Sequence, residues 1–222
     1  MARLHLLRVF CADDGSGGNP LGVFLDGAEV PPEERQAVAA DLGLSEVVFV
    51  DDAELGEIRI FTPAVELDFA GHPAVGTAWL LEGAGALRPP AGEVGVTRDE
   101  EAVYVAARPE WGPAFELTRL GSPADVEALD GPPGGHDLIA AWAWIDEGAG
   151  TIRARVFPVR IGIPEDEATG SAALRLVAHV GHPIQIRQGP TAGSLIYARP
   201  LETGRAEIGG LVALDEAREY AR

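Results

Sequence analysis

The stretch TGSAALRLVAHVG, residues 169–181, is apolar on nearly every face of a helix. A second stretch, HPAVGTAWLLEG at residues 72–83, has the same character. A helix without a polar face is unsuited to a protein surface, because it would expose apolar side chains to water on every side. We therefore expect both helices to be surrounded by other structure.

The two apolar helices belong to a faint internal repeat. In each, a glycine is followed by a small hydroxyl residue, an alanine and a run of apolar residues, as in VGTAWLL (75–81) and TGSAALRL (169–176). Each follows a strand pattern that ends in Phe-x-Pro or Phe-Pro, at 59–63 and 155–158. A period of roughly half the chain predicts two similar lobes, each folded around one buried helix.

Strand patterns dominate the rest of the chain. Alternating or β-branched runs between Gly, Pro and Asp are typical of strands, and they occur at 4–10, 22–27, 46–52, 57–63, 102–107, 138–146, 151–158, 184–189, 194–199 and 206–214. Capping patterns predict two further helices, at 31–44 and 122–129.

These patterns predict an α+β fold of two lobes related by a pseudo-two-fold axis. Each lobe would be a curled, antiparallel-rich sheet around one central helix. We place the N-terminal lobe at residues 1–107 and the C-terminal lobe at 108–222, with the last residues packing back on the first lobe. The Pro- and Gly-rich segment 108–125 would connect them.

The charge of the chain argues against two classes of partner. Its net charge is −18 at pH 7, and the acidic residues are spread along the chain. Nucleic acids and anionic membranes both require basic patches, so we expect neither as a partner. No segment approaches the ~20 uninterrupted apolar residues of a membrane span, and the N-terminus is typical of a first strand rather than a signal peptide.

Two residue types are scarce. Lysine is absent, which excludes an internal lysine Schiff base with pyridoxal phosphate and a Walker-type phosphate loop. Cys11 is the only cysteine, so an intrachain disulfide and a pair of opposed thiols are excluded. A single free cysteine is typical of a reducing cytoplasm, where we expect the protein. The histidines show no metal-ligand spacing, and we expect no metal site.

The N-termini of the two buried helices would point at a shared cleft if the lobes face one another. Each helix end carries unpaired N–H groups and the positive end of the helix dipole, which favour an anion such as a carboxylate. Gly71 and Gly170 lie at these ends, where a missing side chain lets a ligand approach the backbone. Ser171 can cap the helix, donate to a ligand carboxylate or pack.

Three further polar residues have two interpretations each, and a fourth, Asn19, has one. His72 lies at one helix end and can be catalytic or structural. Asp166 lies at the other and can be catalytic or a helix cap. Glu46 opens an apolar strand, where burial would raise its pKa and suit it to proton transfer, or it is a surface residue at a strand edge. Asn19 lies in a Gly-Asn-Pro segment, 16–23, that predicts a tight turn in which its side chain satisfies local backbone groups.

Taken together, these motifs resemble the phenazine-biosynthesis PhzF-like family. GNPLGVFLDG, LSEVVFV, IRIFTPAVELDFAGHPAVGTAWLL and GIPEDEATGSAA occur in that family's order and approximate spacing, and IRQGPTAGSLIYARP resembles its closing segment. The family has the diaminopimelate-epimerase-like fold, so the resemblance implies two similar lobes, each a β-barrel around a central helix, with the active site in the cleft between them. Its members are commonly homodimers without a cofactor, so the resemblance implies both properties here.

The best-understood activity of that family is the isomerisation of trans-2,3-dihydro-3-hydroxyanthranilate by proton movement between ring carbons. The resemblance implies that Glu46 carries the proton, while His72 and Asp166 form a coupled pair that hydrogen-bonds the substrate. It also implies that the helix-end amides anchor a substrate carboxylate. The expected substrate-binding residues are Gly71, Gly170, Ser171 and Asn19.

Several alternatives stay open at this level. The chain can catalyse an epimerisation or dehydration of another small acid, or bind a small carboxylate without turnover. Some racemases and epimerases of the same superfamily use two opposed cysteines. This mechanism is disfavoured here, because His72 and Asp166 occupy the positions where those enzymes have the two thiols. The chain is also shorter than the better-known family members, around residues 108–137, which leaves the natural substrate open.

Overall fold

A computed structural model describes residues 2–202 and 204–220 of the chain. Over these residues the protein is a mixed α+β structure with one large sheet and few helices. The strands are β1 (Arg3–Cys11), β2 (Gly17–Phe24), β3 (Glu46–Asp52), β4 (Glu57–Phe61), β5 (Glu66–Leu67), β6 (Ala86–Leu87), β7 (Val94–Arg98), β8 (Val103–Ala107), β9 (Glu116–Arg119), β10 (Ile139–Asp146), β11 (Thr151–Phe157), β12 (Ile184–Gln188), β13 (Ser194–Pro200) and β14 (Ala206–Glu219). The α-helices are α1 (Pro32–Leu42), α2 (Gly71–Leu80), α3 (Pro123–Glu127) and α4 (Gly170–Val180).

The fourteen strands are connected in one sheet. Its main path runs β5-β4-β3-β2-β1-β14-β13-β12-β11-β10-β9, and β8 joins β6 and β7 to it by pairing with β14. Neighbours are antiparallel except for three parallel pairs, β2 with β3, β9 with β10, and β11 with β12. The last strand, β14, pairs with both β1 and β8, so it joins the C-terminal segment to the first half of the chain.

The two surface helices begin and end where their sequences predict. Helix α1 has Pro32 at its first position and acidic residues in its first turn, and it ends at Gly43, whose left-handed conformation (φ 63°) suits glycine. Helix α3 is capped by Ser122, whose side chain accepts a hydrogen bond from the backbone N–H of Asp125.

The two apolar helices are buried to different extents. All residues of α2 from Gly71 to Ala78 are buried. In α4 the first five residues, Leu176 and Val177 are buried, but Ala178 and His179 are exposed. The expectation that both helices are fully surrounded is therefore wrong for the last turn of α4, where the polar His179 meets solvent.

One core cluster contains apolar residues of both helices and of the sheet. Val75 and Ala78 of α2 belong to it together with Leu174 and Val177 of α4, and Ile208 of β14 packs in the same cluster. The N-terminal ends of the two helices are brought together by this packing. Within residues 2–202 and 204–220, no helix is long and apolar enough to span a membrane.

The structure corrects the turn predicted around Asn19. Gly17 and Gly18 do have positive φ angles, of 64° and 89°, but Asn19 is already paired with Val9 in the sheet. The segment therefore enters strand β2 where a tight turn was predicted. The positive φ angles that favour a turn are confined to Gly17 and Gly18 at the start of β2, and the residues after them are extended.

Candidate active site

Glu46 occupies the first position of β3, where its backbone pairs with Leu21 of β2. Only 8% of the residue is exposed, so the alternative of a surface glutamate is wrong. Its Oε2 atom is buried without a hydrogen-bond partner among the described residues. Burial raises the pKa of Glu46 to about 7, while a hydrogen bond from Ser45 opposes the shift. The carboxyl group can therefore gain or lose a proton near neutral pH.

His72 is the second residue of α2 and is 3% exposed. Burial lowers the pKa of His72 to about 4, although the charge of Asp166 acts to raise it. The imidazole is accordingly neutral at neutral pH. Its Nε2 atom lies 3.4 Å from Oε2 of Glu46, and neither atom has a hydrogen-bond partner in the described structure. Two buried polar atoms thus remain available to a ligand or to each other.

Asp166 lies in the segment that leads into α4, and its backbone N–H donates to the Val156 carbonyl over 3.0 Å. Its side chain does not cap α4: the N-cap residue is Thr169, and no side-chain cap bond is formed there. The helix-cap interpretation of Asp166 is therefore wrong. Its Oδ1 accepts from Asn19 Nδ2 over 2.8 Å, and its Oδ2 accepts from Thr169 Oγ1 over 2.6 Å.

The pKa of Asp166 is raised to about 6. Burial is the largest cause, and the negative charge of Glu46 adds to it. His72 and the hydrogen bonds from Thr169 and Asn19 act in the opposite direction. Because the charge of the buried Glu46 raises the pKa of the buried Asp166, the two carboxyl groups titrate as a coupled pair.

The acidic neighbours of Asp166 have other partners. Glu165 forms an ion pair with Arg155, with 2.6 Å between Arg155 Nη2 and Glu165 Oε2. Glu167 accepts a hydrogen bond from Ser194 Oγ over 2.7 Å. Asp166 is thus the carboxylate of this acidic run that reaches Glu46 and His72.

Asn19 joins three elements and does not satisfy local backbone groups, so that prediction is wrong. Its Nδ2 donates to Asp166 Oδ1 and to the Ala168 carbonyl, over 2.8 and 2.9 Å. Its Oδ1 lies 3.3 Å from Ser45 Oγ. Since both hydrogens of Nδ2 are used, the 3.5 Å separation from His72 Nδ1 is a close approach only.

Gly71 and Gly170 lie where the two buried helices touch. A Cβ atom on Gly71 would lie 2.7 Å from the Cα of Gly170, and one on Gly170 would lie 2.8 Å from the Cα of Gly71. Both positions therefore require glycine because the helix ends meet backbone to backbone. Neither α2 nor α4 has a side-chain cap at its N-terminus.

A cavity of about 370 Å³ opens beside these groups. Glu46, Asp166, Thr169 and Ser171 supply polar lining, and Glu66 and Asp68 add two more acidic side chains. The apolar part of the lining comes from Phe69, Trp111, Phe115, Pro158, Ile161 and Ile163. The volume is in the range of small-molecule sites. Of the predicted site residues, Glu46, Asp166 and Ser171 line the cavity, whereas Asn19, Gly71, His72 and Gly170 are not among the lining residues.

Another pocket, of about 230 Å³, lies on the sheet at Tyr104, Tyr197, Arg199 and Glu207. Its polar side chains already have partners, such as the ion pair between Arg199 and Glu207. The cavity at Glu46 is the better candidate because it contains a buried carboxyl oxygen without a partner.

Two polar site residues were missed from the sequence. Thr169 bridges the start of α4 to Asp166, and Gln188 at the end of β12 donates to Thr169 Oγ1 and to the Asp166 carbonyl. A signal for Gln188 was present, since it shares the buried face of β12 with Ile184 and Ile186 in strict alternation. Among residues 2–202 and 204–220, no group of three or more His, Cys, Asp or Glu side chains could hold a metal ion.

Comparison with known proteins places the chain in a family. The model of phenazine biosynthesis-like proteins (PhzC-PhzF) matches residues 7–105. The trans-2,3-dihydro-3-hydroxyanthranilate isomerase of Pseudomonas aeruginosa is 33% identical over 292 aligned positions, which cover 99% of this chain and 100% of that protein. The enzyme of the same name from Pseudomonas fluorescens is 32% identical, with 86% and 87% covered. The chain belongs to the PhzF family.

Solved structures show the same fold for this PhzF-family chain. A PhzC/PhzF protein from Clostridium difficile superimposes with a TM-score of 0.81 at 21% identity, with 100% of both chains covered. A probable proline racemase from Agrobacterium radiobacter gives a TM-score of 0.62 at 13% identity, with 100% of this chain and 93% of that chain covered. The resemblance noted from the sequence motifs is thus confirmed. The chain is an isomerase, as its relatives are.

Proposed function

We propose that this isomerase moves a proton between two carbon atoms of a small, cyclic, carboxylate-bearing substrate, with Glu46 as the general acid and base and no cofactor. The observation that carries the proposal is the Oε2 atom of Glu46, which is buried and unpartnered beside the cavity. A base for a carbon-bound proton must reach that carbon and must have a pKa near the working pH. The pKa of Glu46, about 7, meets the second requirement.

The proposed cycle has two proton transfers. The Glu46 carboxylate takes the proton from one carbon, so a C–H bond breaks, an O–H bond forms, and the electron pair spreads over the substrate's conjugated system. The same O–H group then returns the proton to a second carbon. Asp166, which lines the cavity, hydrogen-bonds the substrate, and neutral His72, whose Nε2 lies 3.4 Å from Glu46 Oε2, assists the Glu46 carboxyl group from behind. The charge that develops is stabilised by the uncapped helix ends of α2 and α4.

Ser171 and the helix-end amides are proposed to hold the substrate carboxylate. Ser171 lines the cavity in the first turn of α4. Gly71 and Gly170 let the two positive helix ends meet, and Asn19 holds Asp166 in place. We also propose that the protein is a homodimer. Each protomer would consist of two lobes, residues 1–107 and 108–222, with the active site in the cleft between them.

Trans-2,3-dihydro-3-hydroxyanthranilate is the first substrate to test, since the relatives are named for it. A different small acid is favoured by one observation. The alignment with the P. aeruginosa enzyme spans 292 positions, whereas this chain has 222 residues, so the relative contains segments that this chain lacks. Isomerisation, epimerisation or dehydration of another acid would use the same base.

The proposal is tested by proton NMR of trans-2,3-dihydro-3-hydroxyanthranilate incubated with the protein in D₂O. We expect consumption of the compound, or exchange at specific carbons, with the wild type. Glu46→Gln should reduce the rate by 10²-fold or more, roughly the contribution of a general base. It should leave binding of the compound, measured by calorimetry, within about threefold.

The matched control is Glu167→Gln, the same change at a half-buried glutamate that does not line the cavity and accepts its hydrogen bond from Ser194. This variant should retain wild-type exchange. Equal binding by all three proteins without exchange by any would favour a carboxylate-binding protein over an enzyme for this compound. Exchange that survives Glu46→Gln would remove Glu46 from the mechanism.

A further inference from the structure

A chain of hydrogen bonds runs from Gln188, at the end of β12, to the carboxylate of Asp166. Gln188 is 1% exposed. Its Nε2 donates to Thr169 Oγ1 over 2.9 Å and to the backbone carbonyl of Asp166 over 3.1 Å. Thr169 Oγ1 donates to Asp166 Oδ2 over 2.6 Å, and the Thr169 backbone N–H donates to Gln188 Oε1 over 3.2 Å. Gln188 therefore touches the site only through Thr169 and the backbone.

The chemistry of the bonding groups fixes which atom donates in each hydrogen bond between Gln188, Thr169 and Asp166. The Thr169 backbone N–H can only donate, so the atom that faces it must be Oε1 of Gln188. The Asp166 carbonyl can only accept, so Nε2 must face that carbonyl. Because Nε2 offers only hydrogens, the Thr169 hydroxyl oxygen accepts from it. The single hydroxyl hydrogen of Thr169 is then left for Asp166 Oδ2.

Asp166 Oδ1 also accepts from a donor of fixed direction, the side-chain amide of Asn19 on β2. Asn19 Nδ2 donates to Asp166 Oδ1 and to the Ala168 carbonyl. The amide cannot be reversed, because its oxygen would then face the Ala168 carbonyl, which has no hydrogen to give. Both oxygens of Asp166 thus accept from donors of fixed direction, which favours the ionised form.

Glu46 differs from Asp166 in this respect. Its hydrogen bond comes from Ser45, and its buried Oε2 has no partner in the described structure. The titratable groups that act on Asp166 are Glu46 from β3 and His72 from α2. When two buried carboxyl groups share a proton, the group with fewer donors keeps it.

We propose that Gln188 is a positioning residue that, through Thr169, holds Asp166 as the ionised carboxylate, so that Glu46, and not Asp166, is the carboxyl group that gains and loses the proton of the site. This inference rests on the proposed proton transfer by Glu46. Asp166 then stays ionised beside a neutral His72 through the cycle, while Glu46 starts as the carboxylate and is protonated between the two transfers. The residue that determines which carboxyl carries the proton would then be a glutamine that does not line the cavity.

The test is a titration of the side-chain carboxyl carbons by NMR in substrate-free protein labelled with carbon-13 at Asp and Glu, with signals assigned from Asp166→Asn and Glu46→Gln. In the wild type, Asp166 should titrate below Glu46. Thr169→Val removes the hydroxyl at nearly constant shape and should raise the apparent pKa of Asp166 by about one pH unit, the effect of one lost bond to a charged group. Thr169→Ser should restore it.

Gln188→Met should raise the same pKa by a smaller amount, and in the double variant with Thr169→Val it should add nothing, because Gln188 acts through Thr169. Gln185→Met, on the exposed face of the same strand, is the matched control and should leave Asp166 unchanged. Additive effects in the double variant would overturn the proposal, as would wild-type Asp166 titrating above Glu46. Because the titration needs no substrate, its result is independent of whether the protein turns over the compound tested above.

Discussion

The charge state of Glu46 links the site to the stability of the protein. The pKa of Glu46 is about 7 in the folded protein and 4.5 for an ordinary glutamate, so between these pH values the folded state binds more protons than the unfolded state. The free energy of unfolding therefore falls as pH rises from 4.5 to 7 on account of Glu46. His72, with a pKa lowered to about 4, has the opposite effect between pH 4 and 6.5.

Glu46→Gln should separate the contribution of Glu46 to the pH dependence of stability from that of His72. The variant cannot acquire the buried charge, so above pH 7 we expect it to be more stable than the wild type by about 3 kcal/mol. Below pH 4.5 the two proteins should be equally stable, since the wild-type carboxyl group is neutral there. Urea denaturation at pH 4.5, 6 and 8 measures the difference. A gain that is the same at all three pH values would show that Glu46 is not a buried titrating group.

At the scale of elements, the contact between α2 and α4 can be tested with an alanine. Gly170→Ala would place a Cβ atom 2.8 Å from the backbone of Gly71, so the helix ends must separate. We expect a loss of about 1–3 kcal/mol in unfolding free energy, as for overpacking of a core. Gly83→Ala is the control, because nothing lies within 4 Å of its Cβ position, and it should change stability by less than about 0.5 kcal/mol. Equal stability of the two variants would contradict the close contact.

Helices and strands were the features that could be predicted best from the sequence. The buried helices, both capped surface helices and most long strands were predictable, because periodicity and capping are local properties. Short strands such as β5 and β6 were missed, since two residues carry no periodicity. The close contact of Gly71 with Gly170 was also missed. The sequence suggested a ligand at these glycines, and only the packed structure shows one backbone against the other.

At the scale of the whole molecule, the sheet order and the site network depend on contacts between distant residues. Strand β14 pairs with β1 through Leu7 and Leu214, and no local pattern encodes that partner. The family motifs did point to Glu46 and Asp166, which the structure places beside one cavity. The Gln188–Thr169–Asp166 chain could not be predicted, since hydrogen-bond directions appear only once all the partners are placed.

The cavity wall gives a test at the same scale. Arg175 on α4 donates to the Pro113 carbonyl over 2.6 Å and to the Gly112 carbonyl over 3.0 Å, which fixes a segment of the apolar wall to the helix that bears Ser171. Arg175→Met keeps much of the packing volume but removes both donors. We expect KM for the substrate to rise about fivefold to tenfold, the effect of roughly one lost hydrogen bond, with kcat nearly unchanged.

Hydrogen exchange of the wall backbone supplies a readout without substrate. The backbone amides of Trp111, Gly112, Ala114 and Phe115 should exchange faster in Arg175→Met, because the two bonds that hold this segment to α4 are gone. Arg175→Lys can restore one donor and should give intermediate exchange and an intermediate KM. Unchanged exchange would show that the wall is held by its apolar contacts alone. A fall in kcat at constant KM would show instead that Arg175 acts on the reacting groups, since loss of a wall contact weakens ground-state and transition-state binding alike.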